Sequence, residues 1–502
     1  MKENEKPTER KESPDSMAPQ GMDDSRQEMS PEMKQRELDR QRYREEMAQR
    51  MPPPEQRRRP RGRAGRAMFR LRRSFARKRR ALLIALVVAL SGVLLMISIL
   101  IIQYITISQG ISSNPNQDGT RDPSGQDTRV AVKIMEITDP VEIVHPMLRA
   151  YADKDSKRTV QEIMSVYKMT KQRADGDTPV ELSYMVDNLP SSQQIRSVRF
   201  LLSENEDYSE PRVRYADAAR EGKVTFSHLK GGTLYFYKVV VTLNDATTLE
   251  TESFFRTVSG SPRFLSITSD SGTMLPNIRD IGGWMTVNAS DGTQMIIRQG
   301  MVYRGCELDG FNDSACVISQ EEGVSDMLSV LGIRTEMDLR GQNGVTGYSA
   351  LGYNVNRYCI QTSFYDQENR KFVYYNNTST KAERETIISG IRQAFAILAD
   401  ESNYPIYIHD VYGCDETGMI CYLLEAALGV DDAQLKKDFD MSAFSLYTTS
   451  TYMYSGVNTM LRSYGSGNST QERVTDFLIN TCGVPAGDLL HIREILLEAV
   501  AE

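Results

Sequence analysis

Cysteine, histidine and tryptophan are scarce in this chain: six, four and one in 502 residues. The cysteines (Cys306, Cys316, Cys359, Cys414, Cys421 and Cys482) are too few for a disulfide scaffold and nowhere form CxxC. His145, His228, His409 and His491 lack the spacing of a structural zinc site, so no metal ligands and no cofactor are expected. A composition 40% hydrophobic and 25% charged excludes a collagen, a wholly disordered chain and a polytopic transporter. The length leaves room for roughly three domains, so a multidomain chain is expected.

Charge is also unevenly supplied. Residues 1–80 carry 24 Lys and Arg against 14 Asp and Glu, leaving 36 basic and 53 acidic residues downstream. Residues 81–102 (ALLIALVVALSGVLLMISILII) hold no charge at all, and the next charged residue is Asp118. At 1.5 Å per residue such a run can cross a hydrocarbon core about 30 Å thick, which predicts a single transmembrane helix over 81–107, a signal anchor too long for a cleaved signal peptide. The 13 basic residues of 51–80, opposed only by Glu55, end in Arg77, Lys78, Arg79 and Arg80. Basic residues against a span place the N-terminus in the cytoplasm and the C-terminal domains outside the cell, with this segment on anionic lipid of the cell membrane and not on nucleic acid.

The cytoplasmic tail, 1–80, has a candidate helix start at Ser30 and Pro31, while 1–29 are too poor in apolar residues to fold alone. Residues 108–128, rich in Ser, Gly, Asn and Pro, read as a flexible linker. From Val180 the apolar pattern has a period of two: Val180, Leu182, Tyr184 and Val186, then Val198 and Phe200, Val224 and Phe226, and Tyr235, Tyr237, Val239, Val241 and Leu243. Short alternating strands predict an antiparallel β-sandwich over 129–260. The segment LKGGTLYFYKVVVTLNDATTLETESFFRT resembles the closing strands of a fibronectin type III domain, with Leu229, Gly232, Thr233 and Tyr235 at that family's tyrosine corner. The resemblance implies a spacer or a binding surface.

Beyond Pro262 strand and helix patterns alternate, which predicts an α/β domain over 261–502. GIRTEMDLR (332–340) and YPIYIH (404–409) read as buried strands, and the second runs through VYGCDETG into an apolar helix that Gly429 can end. A strand, a glycine-containing loop and a helix N-terminus bring unpaired backbone NH groups together, which makes an anion site.

Several motifs together resemble the bacterial tyrosine phosphatase family related to the dual-specificity and lipid phosphatases. NIRDIGGW (277–284) is similar to its NFRDLGG signature, VYRGCELDG (302–310) to LYRSGxL and LGIRTEMDLR to LGIRTVIDLR, and INTCGVPAGDLLHIREILLE is similar to the family's approach to its C-terminal helix. The resemblance implies a bacterial source, a tyrosine-phosphatase-like α/β fold, and a phosphate loop HCx5RTG whose thiolate attacks phosphorus while the arginine grips two oxygens.

Here that loop reads His409, Asp410, Val411, Tyr412, Gly413, Cys414, Asp415, Glu416, Thr417 and Gly418. Asp410 stands at the nucleophile position and Glu416 at the arginine position, so neither catalytic side chain is intact. Ionised, the two would repel a phosphate dianion, each unit-charge pair at 4 Å being worth about 4 kcal/mol at an effective dielectric of 20. Asp410 could still act as an aspartyl nucleophile, but the second Asp usual two residues on is Tyr412. The arginine position for an off-register Cys414 nucleophile is Ile420, and Asp410, Asp415 and Glu416 could instead hold calcium or magnesium. Asp338 matches a candidate remnant acid and is expected to pair with Arg340 or Arg279; with Asp280 these complete the supporting set. Cys306 and Cys316 could close a disulfide, and Cys414 and Cys421 read as buried thiols.

The leading expectation is a membrane-anchored surface pseudophosphatase with a binding or regulatory role toward a protein or anionic ligand. An active phosphatase of phosphotyrosine or phosphoinositides, working through Asp410 or a metal, and a structural surface adhesion protein are the alternatives.

Overall fold

The computed structural model describes residues 129–500, apart from 136, 138, 154–155, 157, 160–161, 163–164, 166–174, 290, 342–346, 363–364, 367–370, 373–379 and 447–450. The sandwich consists of β1 (Ala131–Ile134), β2 (Val180–Asp187), β3 (Ile195–Ser203), β4 (Arg212–Ala216), β5 (Glu221–Phe226), β6 (Leu234–Leu243) and β7 (Thr248–Arg256), with α1 (Pro146–Ala152) between the first two strands. Two antiparallel sheets, β1-β2-β5 and β4-β3-β6-β7, face each other. Because side chains alternate across a strand, Val180, Leu182, Tyr184 and Val186 turn inward together and meet Val198, Phe200 and Leu202, all buried. Tyr184 and Phe200 pack edge to face at 5.8 Å.

The second domain continues with β8 (Arg263–Phe264), β9 (Arg279–Asp280), β10 (Thr286–Asn288), β11 (Gln294–Ile297), β12 (Val302–Gly305), α2 (Glu322–Ser325, extended by a π turn Asp326–Val330), β13 (Thr335–Asp338), β14 (Asn356–Cys359), β15 (Tyr365–Asp366) and β16 (Lys371–Phe372). There follow α3 (Lys381–Leu398), β17 (Ile406–His409), α4 (Glu416–Leu428), α5 (Asp432–Asp440), α6 (Ala443–Leu446), α7 (Thr451–Tyr464), α8 (Thr470–Asp476), α9 (Ala486–Leu496) and β18 (Leu497–Ala499). Its main sheet has the order β14-β13-β17-β12-β9-β8, parallel across the first four strands and antiparallel at β9 and β8. β17 (IYIH) is buried throughout, as a central parallel strand covered on both faces must be. From Thr417 to Leu428 every residue of α4 is buried, and Gly429, at φ +100°, closes the helix in the left-handed conformation. Apolar packing is continuous between the domains, where Tyr151 of α1 meets Phe444 of α6 at 5.7 Å.

Two expectations need correction. Among the described residues the fold class holds no transmembrane helix: none of their helices is long and apolar enough to cross a membrane. The longest of them, α3, buries Ile387, Ile391, Ala394, Phe395 and Leu398 on one side and carries polar residues on the other, so it covers a core and is not apolar all round. Residues 81–107, like the tail and the linker, lie outside the described residues. Cys306 and Cys316 are buried free thiols, not a disulfide, and burial, followed by the neighbouring Cys316, pushes the Cys306 pKa well up.

Candidate functional site

β17 ends at His409, Asp410 follows at once, and α4 begins at Glu416. Between them the backbone curls around the Asp410 side chain. Oδ1 of Asp410 accepts the NH of Tyr412 at 2.9 Å and that of Gly413, while Oδ2 accepts those of Asp415 and Thr417 at 3.0 Å each. Four donors of an anion-binding nest are therefore taken by a carboxylate of the same loop, and Asp410 is only 4% exposed.

The loop carbonyls face the opposite way and are held from below. Nδ2 of Asn277 donates to the carbonyls of Tyr412 and Gly413 at 2.9 and 3.0 Å, and Nη2 of Arg304 donates to that of Gly413 at 2.8 Å. Val411 accepts from the Glu307 NH at 3.1 Å. Gly413 has φ +70°, and an added Cβ would lie 2.3 Å from the Gly305 carbonyl oxygen, so no side chain fits where loop and β12 meet. Beneath the loop, Asp438 of α5 bridges two buried guanidiniums: its Oδ2 takes Arg304 Nη1 at 2.7 Å and its Oδ1 takes Arg279 Nε at 3.2 Å. Glu425 is buried beside Asp438; burial first, then that neighbouring charge, pushes its pKa well up.

A second cluster surrounds the ends of β13 and β14. Arg340 forks onto Asp338 through Nε and Nη2 at 2.9 and 2.8 Å, and reaches Asp309 at 2.7 and 2.9 Å as well as Glu307. Arg357 donates to Asp338 Oδ2 at 2.6 Å. Burial alone would raise the Asp338 pKa, but His409, Arg340 and Arg357 prevail and hold it well below the usual carboxylate range. A carboxylate held ionised in this way is a structural anchor and has no proton to give. His409 Nε2 lies 2.9 Å from Glu336; burial opposes its charged form, yet Asp338 and Glu336 outweigh burial and the imidazole pKa rises.

Glu336, Asp338 and His409 bring ligand atoms within 4.8 Å of one another, the described group of this kind that could hold a metal. Asp338 already serves Arg340 and Arg357 and Oε1 of Glu336 serves His409, Oε2 of Glu336 being without a hydrogen-bond partner among the described residues, so an added cation would have to displace positive charge, and the group does not fit a metal site.

The ten loop positions thus come together, and Arg279, Asp338 and Arg340 lie in two clusters around them. Asp338 pairs with Arg340 and Arg357, whereas Arg279 pairs with Asp438. Asp280 turns away from the loop: it binds Arg263 at 2.7 Å and accepts the NH groups of Gly282 and Gly300. Tyr412 is exposed and donates to Asp313 at 2.8 Å; that bond first, and burial second, bring its pKa to about 12. Burial first, and then the neighbouring Asp410 and Asp415, push the Glu416 pKa well up. A raised pKa lessens the negative charge that the sequence assigned to this position. Sequence reasoning missed Asn277, Arg304, Glu336, Arg357 and Asp438 as site residues. Asn277, Arg304 and Glu336 stand inside the motifs that carry the resemblance, which is the signal that could have found them.

Residues 272–498 match the tyrosine phosphatase family. This segment is a tyrosine-phosphatase-family domain. Among solved structures, similarity is found to the crystal structure of the core catalytic domain of the PP-IP phosphatase SIW14 from S. cerevisiae in complex with citrate, at 14% identity and a TM-score of 0.21, over 32% of this chain and 80% of that one. No curated protein matches the chain.

Proposed function

We propose that the tyrosine-phosphatase-family domain is a pseudophosphatase, a binding or regulatory module that has kept the scaffold and lost the chemistry. The observation that carries this reading is the Asp410 carboxylate, which accepts four NH groups of its own loop. In the mechanism that the resemblance implies, those donors bind the phosphoryl group and the side chain at this position attacks it. Here that side chain is turned into the nest and held there by charge-assisted hydrogen bonds, which are about twice as strong as neutral ones. An attacking role would require Asp410 to give up all four. Glu416 brings no guanidinium fork to replace them.

The preceding sandwich is proposed to be a fibronectin type III-like spacer or binding surface. Its division into three and four strands, and the Tyr235 hydroxyl that accepts the Lys230 NH at 2.9 Å, support that reading.

The test is turnover by the full chain of p-nitrophenyl phosphate, a phosphotyrosine peptide and phosphoinositides, with and without Mg²⁺, beside the Asp410→Cys/Glu416→Arg double variant. A silent wild type and an active double variant are expected. Wild-type turnover that disappears in Asp410→Ala would overturn the proposal and restore the enzymatic reading.

A further inference from the structure

A cavity of about 280 Å³ lies between the sandwich and the α/β domain, away from the Asp410 loop. That is room for roughly nine waters at about 30 Å³ each, near the lower end of small-molecule sites. Its walls come from both domains: Arg212 and Tyr235 from the sandwich, Arg263, Tyr303 and Leu331 from the α/β domain.

What distinguishes the cavity is a surplus of donors. Arg212 opens β4, donates through Nη1 to the Ser227 carbonyl at 2.8 Å and lies over the Phe226 ring at 5.5 Å. No carboxylate lies within 4.0 Å of it among the described residues. The nearby acids Asp177 and Asp326 are engaged by His228, at 3.3 and 3.2 Å. Arg263 is 2% exposed; its Nη2 serves Asp280 at 2.7 Å and the Tyr303 hydroxyl at 3.1 Å, and its Nη1 the His228 carbonyl at 3.3 Å, but its buried Nε has no acceptor. Tyr235 accepts from the Lys230 NH, and Tyr303 from Arg263, so each phenol oxygen is in use as an acceptor while its own proton has none. The carboxylates of the lining, Glu204 and Glu210, are on exposed residues at the rim, and Glu204 is held by Lys230 at 3.0 Å. Donors thus form the floor and acceptors the mouth.

Arg212 is partly buried with no described carboxylate in ion-pair reach, Arg263 is buried and paired with Asp280, and the two guanidiniums supply the donors that a planar or tetrahedral oxyanion would satisfy. We propose that this interdomain cavity binds a small oxyanion, a phosphate monoester or a carboxylate, between Arg212 and Arg263, with the Tyr235 and Tyr303 hydroxyls as additional donors. Such a ligand touches both domains at once, so its binding holds them together and adds to stability with the logarithm of its concentration once that exceeds Kd.

The experiment follows thermal unfolding of the full chain and isothermal titration calorimetry with inorganic phosphate and, separately, succinate, against sodium chloride at equal ionic strength. A rise in Tm that grows with concentration, together with a saturable heat in calorimetry, is expected with at least one oxyanion and neither with chloride, with phosphate alone or succinate alone identifying the class. In Arg212→Gln the apparent Kd should rise at least tenfold. Arg212→Lys, which keeps the charge but not the fork, should weaken binding severalfold and serves if the Gln variant does not fold. Absence of saturable binding by both anions, or binding unchanged in the variant that folds, overturns the proposal.

Discussion

The Asp410 carboxylate and the Thr417 backbone NH meet at 3.0 Å, seven residues apart, and join the end of β17 to the first turn of α4. This bond and its three companions make the loop's anion site a closed internal contact. Removing the carboxylate should expose the site. Asp410→Gly, made in the Arg212→Gln background so that the interdomain cavity is silent, should lose about 3 kcal/mol of stability in urea unfolding, because several donors lose their acceptor together. Inorganic phosphate should return part of that loss. A variant as stable as its parent, or one indifferent to phosphate, would show that the four bonds do not organise the loop.

Asp438 offers a prediction of a different kind. It separates Arg279 and Arg304, both fully buried, and each loses its carboxylate when Asp438 becomes Ala. A buried charge left without its partner costs roughly 3–5 kcal/mol, so Asp438→Ala should unfold at much lower denaturant, whereas Asp438→Asn, which keeps an acceptor, should lose less. Equal, small losses in both would contradict this account of the support beneath the loop.

Glu416 should be felt as a function of pH. Its folded pKa is raised, by burial first and then by Asp410 and Asp415. Stability associated with its protonated form is therefore complete below the unfolded carboxyl pKa of about 4.3 and is lost as pH rises through the folded value. Glu416→Gln, which cannot ionise, should match the wild type near pH 4 and become the more stable protein as pH increases. A stability difference independent of pH would refute this assignment.

At the domain junction His228 of the sandwich sits between Asp177 and Asp326, the latter on the α/β domain, with Arg212 and Arg263 also near. Burial lowers its pKa, but the two carboxylates outweigh burial and the net shift is upward. The stabilisation is then complete below about pH 6.5 and disappears as pH rises through the folded value, while the depressed Asp177 contributes above its unfolded pKa and is lost only in strong acid. His228→Gln should reduce Tm more at pH 6 than at pH 9. The opposite order would mean that the imidazole is neutral in the folded protein.

Local chemistry made much of this architecture legible in the chain itself. Alternation at Leu182, Tyr184 and Val186 marked the inward face of β2, Gly429 marked the end of α4, and the family resemblance aligned Asp410 and Glu416, in the run from His409 to Gly418, with the two reactive positions. The first two rest on periodicity or spacing among near neighbours, and the third on a resemblance between short motifs, all of which a linear sequence displays. The direction in which Asp410 points does not, because it depends on whether the loop NH groups or solvent receive the carboxylate, and that is settled only when β17, α4 and β12 are packed. Asp438 joins the site from 159 residues beyond Arg279, and Glu336 reaches His409 from 73 residues away. Arg212 and Arg263 come to share one cavity only because the sandwich docks beside the α/β sheet. Sequence determined which groups are present and on which elements; tertiary structure decided which charges are paired, since pairing is a property of distances between elements that the order of residues does not encode locally.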